Sequence, residues 1–535
     1  MPSKREQALR VIYEELSKSP PATRVGLERL KMRVCSDLRL PGVLKNPDIV
    51  MYVEEMEGGI SEEWRKLLKI KDVRSLSGIS NIAVMTAPMP CPGRCIYCPG
   101  GVDAGSPKAY TGKEPAARRA AQNDYDSFRQ VSARLRQFAL IGHVTDKCEV
   151  IVQGGTFNAA PKEYTDVFVK GIFDALNCRP SSSLDEAQSL NEAAAHRMVG
   201  LTFETRPDHC SPRQVSDMLA YGMTRVEIGV QSLSEEVMRK SGRGHTVGDV
   251  VHATARLKDS FLKVCYHMMP GLFADRAQDI EDFRTLFSDE RFQPDMLKIY
   301  PTLVMPGTPL YDMWRRGEYA PYTSGQAAEV IAECKRFVPE YCRIMRVNRD
   351  IPANLIAGGV GKSNLRELVA GELKGKGVGC RCIRCREAGI RQLKSGVNVD
   401  LQDVALVRRD YRASGGDEVF LSFEDAGSDA LLGFLRLRIP GEAAFLPEIS
   451  DGTAGVRELH VYGEQLRVGE REGSGRFDAI QHGGLGRKLL AEAERVALEE
   501  FGCRRLLVLS GVGVRNYYRS LGYERDGFYM GKPLS

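Results

Sequence analysis

Cys91-Pro-Gly-Arg-Cys95-Ile-Tyr-Cys98 sets three thiols at C-x-x-x-C-x-x-C spacing. Three thiolates so placed can hold three irons of a [4Fe–4S] cluster, whereas most structural clusters take four cysteines. The fourth iron is then open to a ligand that is not protein. A zinc knuckle or three unrelated buried thiols are the competing readings, and the spacing favours the cluster. A second trio, Cys380-Arg-Cys382-Ile-Arg-Cys385, reads as three ligands of a structural zinc site. Cys334, Cys342 or a histidine are the candidates to complete it, and free thiols are the alternative.

A second kind of chemistry lies near the C-terminus. Gln481-His-Gly-Gly484-Leu485-Gly486-Arg487 opens a helix after a strand in a Gln-x-x-Gly-x-Gly pattern. Backbone N–H groups there can cradle a pyrophosphate. No βαβ unit with a distal acidic residue surrounds the loop, which argues against a dinucleotide fold. On the preceding strand lie Glu458, Leu459, His460 and Val461. Glu458 or His460 is a candidate base, unless the strand serves only through its backbone. Tyr517 and Tyr518 begin a later helix.

Short apolar runs at 81–86, 148–153, 200–205, 224–231, 263–269 and 296–303 alternate with helical patterns at 162–177, 211–221, 247–259 and 326–337. Repeated strand–helix units imply parallel strands in a barrel or partial barrel, with its chemistry at the carboxyl ends of the strands. The cysteine loop follows the first strand. Gly154 and Gly155 follow the second and permit close backbone approach to a ligand. Glu204, Arg206, Glu227, Gln231, His267 and Lys298 interrupt otherwise apolar strands, a placement that is costly unless they are paired or used.

The expected organisation is a helical basic region at 1–80, the barrel at 81–350, a cysteine-containing linker at 351–400 and an α+β domain at 401–535. The last has strands at 403–409, 417–424, 430–438, 456–462 and 504–510 and helices at 484–500 and 514–521. Net charge is only +5, but residues 1–46 carry ten basic groups against five acids, and 374–394 carry seven against Glu387. Such patches suit a phosphate backbone, although a solvated face is the plainer reading. No apolar segment is long enough to span a bilayer, and no signal core follows Met1, so a cytoplasmic protein is expected. Cysteines grouped at metal spacing point to a reducing compartment.

The cysteine motif resembles that of radical-SAM enzymes, in which S-adenosylmethionine chelates the open iron; Tyr97 before the last cysteine fits. Gly154, Gly155 and Glu204 would then serve that cofactor. The loop at 481–487 resembles the acyl-CoA signature of GNAT acetyltransferases, in which a tyrosine such as Tyr518 stands near the thioester. Both in one chain resemble the catalytic third subunit of Elongator in its archaeal or bacterial stand-alone form. Further carriers are Ala109-Tyr-Thr-Gly112, Glu204-Thr-Arg-Pro-Asp208, Arg243-Gly-His-Thr246, Tyr300-Pro-Thr-Leu-Val304, Arg349-Asp-Ile-Pro352 and Gly511-Val-Gly-Val-Arg-Asn-Tyr-Tyr518.

The resemblance implies a tRNA-modifying enzyme that builds 5-carboxymethyluridine at the wobble position from acetyl-CoA and S-adenosylmethionine. It carries cluster ligation to Cys91, Cys95 and Cys98. Acetyl-CoA contacts carry over to Lys147, Glu458–Val461, Leu485–Arg487 and Tyr518. One electron would cleave S-adenosylmethionine, the acetyl methyl would lose a hydrogen atom, and the carbon radical would add to C5 of an unstacked uridine. The implied partners are the tRNA anticodon stem-loop and an electron donor, with a homodimer left open. Eukaryotic members lack the trio at 380–385, which makes zinc there less secure than iron at 91–98. A protein lysine acetyltransferase with a regulatory iron–sulfur domain, or a non-catalytic tRNA-binding scaffold, are the rival readings.

Overall fold

A computed structural model describes residues 3–20, 23–58, 61, 64, 67–68, 78–141, 143–396, 399, 401–462 and 484–535. Seven strands, β1 (Ser80–Met85), β2 (Lys147–Gln153), β3 (Arg197–Thr205), β4 (Arg225–Gln231), β5 (Lys263–Met268), β6 (Met296–Ile299) and β7 (Arg343–Val347), form one sheet in sequence order. Every neighbouring pair is parallel, and β7 pairs only with β6, so the sheet is a curled half-barrel. The outward residues of β4 (Val226, Ile228, Val230) are buried in the hydrophobic core that includes Ile172 and Leu257 of the helices, while Arg225, Glu227 and Gln231 alternate with them on the inner face. Capping boxes start the helices at Pro212 and Val247: Ser211 with Gln214, and Thr246 with Asp249.

The seventh strand is absent from the sequence-based reading. Arg343 and Arg346 interrupt its five residues, and their reason for being there is the interior they face. The run read as a strand over 296–303 stops at Ile299, because Tyr300 begins a loop before Pro301.

A second sheet has the order β13-β14-β12-β11-β10-β9-β8. Its strands are β8 (Val404–Ala413), β9 (Gly416–Asp425), β10 (Ala430–Ile439), β11 (Thr453–Val461), β12 (Arg505–Val508), β13 (Glu524–Asp526) and β14 (Tyr529–Pro533). Only β11 and β12 pair in parallel, over Thr453–Val456 against Arg505–Val508. Beyond Val456 the two part, and β11 continues to Val461 beside β10 alone. A wedge therefore opens between them, floored by helix Leu485–Arg495.

Residues 351–400, expected to be a linker, carry helices Leu365–Gly375, Ile383–Arg386 and Ala388–Ser395. Leu365, Val369 and Leu373 are buried in the barrel core, so this stretch is packed rather than a free tether. At the N-terminus, helices Lys4–Lys18, Arg24–Asp37 and Asn46–Glu57 enclose a small core of their own, including Ile12, Leu16, Leu27 and Val53. Part of the basic excess is structural: Lys31 is buried against Glu28 (2.6 Å) and Asn46 (2.6 Å), and Arg386 is buried between Glu424 and Asp429. Among the described residues no helix is long and apolar enough to cross a membrane.

Candidate active site

At the carboxyl rim, the loop after β1 carries Cys91, Cys95 and Cys98, all half-buried. The loop is pinned by Ile96 N–H to Ser241 O (3.0 Å) and by Leu310 N–H to Ile96 O (3.0 Å). Each thiol faces a polar partner. Cys98 Sγ accepts from Ala109 N–H (3.2 Å), Cys95 Sγ accepts from Arg243 Nη1 (3.4 Å), and Cys91 Sγ lies 3.5 Å from Thr156 Oγ1. Arg243 is itself held by Gly229 O (2.6 Å), and Arg206 donates to Arg243 O (2.7 Å) while gripping Asp208 at 2.9 and 2.8 Å. Burial pushes the Cys98 thiol up and the neighbouring Cys95 adds to it, so thiolates gathered here need positive charge among them. By their chemistry, three thiols on one loop with a guanidinium and an N–H beside them suit a metal centre. Gly154 and Gly155, at the end of β2, have φ of +132° and +86°, and a side chain at Gly154 would strike Thr86 Oγ1.

Inside the barrel is a polar layer. Tyr110 Oη donates to Glu204 Oε2 (2.9 Å), Lys298 Nζ lies 3.6 Å from Glu204 Oε1, and Lys298 also pairs with Glu227. His267 Nε2 is 2.8 Å from Glu227 Oε2. Burial alone would raise Glu227, but Lys298, His267 and Arg225 outweigh it and hold the carboxylate ionised. Burial opposes charge on Lys298 too, and Glu227 outweighs it there.

The amino rim carries a third set. Lys147 starts β2, where burial lowers its ammonium. Arg225 pairs with Glu149, and its register partner Lys263 reaches to 4.0 Å from Glu458 Oε1. Burial would raise Glu458, but Lys263 and Arg436, which donates at 2.8 Å, hold it below the usual carboxylate range. His460 is half-buried, and the burial lowers its imidazole; its ring centroid lies 4.5 Å from that of Tyr462. Tyr462 Oη accepts from Arg343 Nη1 at 2.7 Å.

One cavity of about 1220 Å³ joins the three sets. Its wall includes Cys95, Tyr97 and Cys98, then Gln153, Glu204, Glu227, His267 and Lys298, then Lys147, Glu458, Leu459, His460 and Val461, and finally Gly484, Gly486, Arg487, Tyr517 and Tyr518. The strand pattern put the barrel's chemistry at its carboxyl rim, while the resemblance carried an acyl-CoA contact to Lys147, which starts β2. The half-barrel is open at both rims, and the acyl-CoA candidates meet it at the other one.

Gly484 caps helix Leu485–Arg495 in a left-handed conformation (φ +71°), and Gly486 lets Tyr517 Oη come within 3.1 Å of where a Cβ would be. Leu485 is half-buried and off the cavity wall; Cys91, Gly154 and Gly155 are off it as well. Gln481 lies outside the described residues. The run Gly511-Val-Gly513 owes its first glycine to a close approach, since a Cβ on Gly511 would collide with Val199 backbone of β3. The second trio is assembled, with the sulfurs of Cys380, Cys382 and Cys385 within 4.8 Å of one another, whereas Cys91, Cys95 and Cys98 share one loop without forming so close a group. Cys334 is turned away toward Asp279 O (3.8 Å) and is no fourth ligand. Residues whose roles the sequence did not signal are Tyr110, Glu149, Arg225, Lys263, Arg243 and Arg343. Glu149, Arg225, Lys263 and Arg343 are ordinary charged residues that the curl of the sheet turns inward, whereas Tyr110 and Arg243 stand on loops and reach the interior through Glu204 and Cys95.

Residues 90–287 match the Radical SAM superfamily, and residues 294–375 match the Radical_SAM C-terminal domain. A tRNA uridine(34) acetyltransferase of Methanocaldococcus infernus is 47% identical, spanning 99% of this chain and 100% of that protein. Elongator complex protein 3 of Homo sapiens is 43% identical over 95% of this chain and 93% of its own. The chain belongs to the Elongator complex protein 3 family. A solved structure within the family, the archaeal Methanocaldococcus infernus Elp3 with N-terminus deletion (1–46), matches with a TM-score of 0.76 at 46% identity. It covers 86% of this chain and 100% of that one. The cysteine loop and the inner polar layer of this family member fall within the stretches matched to radical SAM domains, whereas Glu458–Val461 and the helix Leu485–Arg495 lie outside them.

Proposed function

We propose that this family member modifies the wobble uridine of tRNA, forming 5-carboxymethyluridine from acetyl-CoA by radical S-adenosylmethionine chemistry. The observation that carries this reading is the single cavity lined both by Cys95 and Cys98 and by the β11 wedge. When bound, the cluster and S-adenosylmethionine supply a carbon-centred radical able to take a hydrogen atom from a methyl group. The chain's own part is to hold and orient. Cys91, Cys95 and Cys98 would ligate the cluster, with Arg243 and Ala109 N–H balancing the sulfur charge. Gly154, Gly155 and Glu204 would receive S-adenosylmethionine.

Acetyl-CoA would lie in the wedge, its pyrophosphate on the backbone of Gly484–Arg487 and its pantetheine along Leu459–Val461. Lys147 and Tyr518 would flank the thioester. Cys380, Cys382 and Cys385 would hold zinc and pin helix Ile383–Arg386 beside β7, where Ile383 N–H donates to Cys342 O (3.0 Å). The N-terminal helices would take the anticodon stem-loop, in a cytoplasmic setting with an electron donor present. A lysine acetyltransferase would have no use for a cavity that continues to the cysteine loop.

Anaerobic protein reconstituted with iron and sulfide, then given tRNA, S-adenosylmethionine, dithionite and methyl-labelled acetyl-CoA, tests this. Label should appear in uridine by nucleoside mass spectrometry and vanish in Cys95→Ala. Undiminished product in that variant would overturn the radical reading.

A further inference from the structure

Glu227, Cys265 and His267 bring a carboxylate, a thiol and an imidazole together inside the half-barrel, on strands that carry neither cysteine trio. Their placement follows from register. Glu227 of β4 is the parallel partner of Cys265 on β5, and His267 lies two residues further along β5. A β strand returns the same face every second residue, so the three side chains share the inner face. The intervening Val264 and Tyr266 pack into the outer hydrophobic core instead. One ligand atom from each of the three, a carboxylate oxygen, Sγ and a ring nitrogen, lies within 4.8 Å of the other two. Both cysteine trios offer sulfur alone, whereas this group mixes oxygen, sulfur and nitrogen.

A second observation points to a ligand. Glu227 is 1% exposed and lies on the cavity wall, yet its Oε1 has no hydrogen-bond partner among the described residues. Arg225 Nε faces it at 3.5 Å without forming a hydrogen bond. A buried polar atom left unpaired costs the desolvation of its group, and the rare exceptions ask for an ion or a water. The cations nearby do not bar an ion. Arg225 is matched by Glu149, and Lys298, which pairs with Glu227, also has Glu204 at 3.6 Å. Glu227 can therefore give one oxygen to an ion while Lys298 keeps the other, since ligating carboxylates are themselves commonly hydrogen-bonded. His267 spends Nε2 on Glu227 Oε2 at 2.8 Å, and its ring stands at 76° to that of Tyr300 with centroids 5.5 Å apart. The imidazole is thus oriented toward the carboxylate before any ion arrives.

We infer that Glu227, Cys265 and His267 form a site for a soft divalent cation of the zinc class. Thiolate and imidazole donors select such ions over magnesium or calcium, which take oxygen. Three protein ligands leave a tetrahedral ion one position to fill from the cavity, by water or by an oxygen of a bound molecule. His267 is the ligand on that side, with 13% of its side chain exposed, while Cys265 is fully buried behind it. On binding, the Cys265 S–H bond breaks, the sulfur gives its electron pair to the ion and the proton leaves to solvent. No oxidant or reductant enters. Because the ion displaces the hydrogen bond between His267 and Glu227, the site fills on titration rather than holding its ion through purification. The site goes beyond the tRNA reading, which assigns no metal to these strands.

The test uses the full chain, with its cluster reconstituted and zinc supplied to the Cys380 trio, titrated anaerobically with cobalt(II) as the probe. Wild type should bind about one cobalt per chain. X-ray absorption at the cobalt edge should show a single sulfur neighbour, with nitrogen and oxygen completing the shell. Cys265→Ser and His267→Gln each remove a ligand and should weaken that binding roughly 100-fold. Melting temperatures without cobalt report whether each variant keeps its fold, and the wild-type spectrum decides the ligand set whatever they show. Cobalt bound equally by wild type and both variants overturns the inference. So does a cobalt shell without sulfur, or with more than one sulfur, which would put the ion on other carboxylates or on a cysteine trio. Binding is read without tRNA or acetyl-CoA, so its failure is separable from failure of label transfer to uridine.

Discussion

Arg457 of β11 reaches into the barrel and grips Asp295 with both terminal nitrogens, Nη1 donating to Oδ2 at 2.8 Å. Neither side chain is exposed to solvent. Lys258 (3.3 Å) and Arg436 (3.7 Å) also approach Asp295, and Glu418 bridges Arg457 and Arg438, so a buried ionic knot joins the two sheets. A buried pair is a poor source of net stability against an apolar replacement, but breaking it by halves leaves an uncompensated charge. Asp295→Leu alone and Arg457→Met alone should each cost roughly 3–5 kcal/mol. The double variant should recover much of that. Thermal unfolding of the four proteins checks the cycle, and simple additivity of the two single losses would show that the pair is not coupled.

The barrel strands were legible because each is an apolar run between helical periods, and the cysteine spacing carries its chemistry on its face. The knot was not legible. Arg457 stands in a strand motif as an unremarked cation, and Asp295 precedes β6 in what reads as a loop. Their pairing depends on how two sheets dock, which no local pattern encodes. By motif alone the site read as two pockets, and only the resemblance, which carries an acyl-CoA contact to Lys147 of the barrel, implied that they meet. The joining of the two needed the curl of seven strands and the splay of β11 from β12. The missing seventh strand has the same cause, since Arg343 and Arg346 break its apolar pattern in order to face the cavity.

The thiols of Cys380, Cys382 and Cys385 are close enough to share protons, and Cys382, held by hydrogen bonds from the other two, is lowered well below the usual thiol range. Such a trio should take a thiophilic divalent ion. Protein purified with zinc should carry about one equivalent by mass spectrometry of metals, and Cys382→Ser should lose it and melt earlier. Cys35→Ser, buried in the separate core of the N-terminal helices, should retain the zinc. Equal zinc in Cys382→Ser and wild type would mean that the trio is only a set of thiols.

Asp279, in helix Arg276–Ser288, is pushed up to about 7 by burial, with Asp282 and Asp275 adding to the effect against hydrogen bonds from Tyr322 Oη (2.7 Å) and Gly271 N–H (2.8 Å). Its folded value lies above its unfolded one, so between about pH 4 and pH 7 the folded state binds the extra proton, and stability falls as pH rises. The full effect is on the order of 4 kcal/mol. Asp279→Asn keeps an oxygen for both donors and cannot ionise. Its advantage over wild type in melting temperature should be small at pH 5 and close to the full effect at pH 8. A gap that is the same at both pH values would show that Asp279 does not titrate in this range.

Glu192, in the turn after helix Leu184–Asn191 of the barrel, holds the short helix Arg515–Arg519 of the second sheet's domain. It pairs with Arg515 (3.1 Å) and Arg519 (2.5 Å), and its carbonyl accepts from Asn516 Nδ2 (3.1 Å). Tyr517 and Tyr518, which line the cavity, sit between those anchors. Arg515 is nearly buried, whereas Arg519 is largely exposed and its pair is screened, so most of the effect should come through Arg515. Glu192→Ala strands the Arg515 charge and loosens the helix that carries the two tyrosines. Coenzyme A affinity should fall roughly 5- to 10-fold, about 1–1.4 kcal/mol, measured by calorimetry. Cleavage of S-adenosylmethionine under reduction should stay unchanged, because the cysteine loop lies at the other rim. Unaltered coenzyme A binding in this variant would separate the tyrosine helix from the acyl site and leave Glu192 as a purely structural clamp.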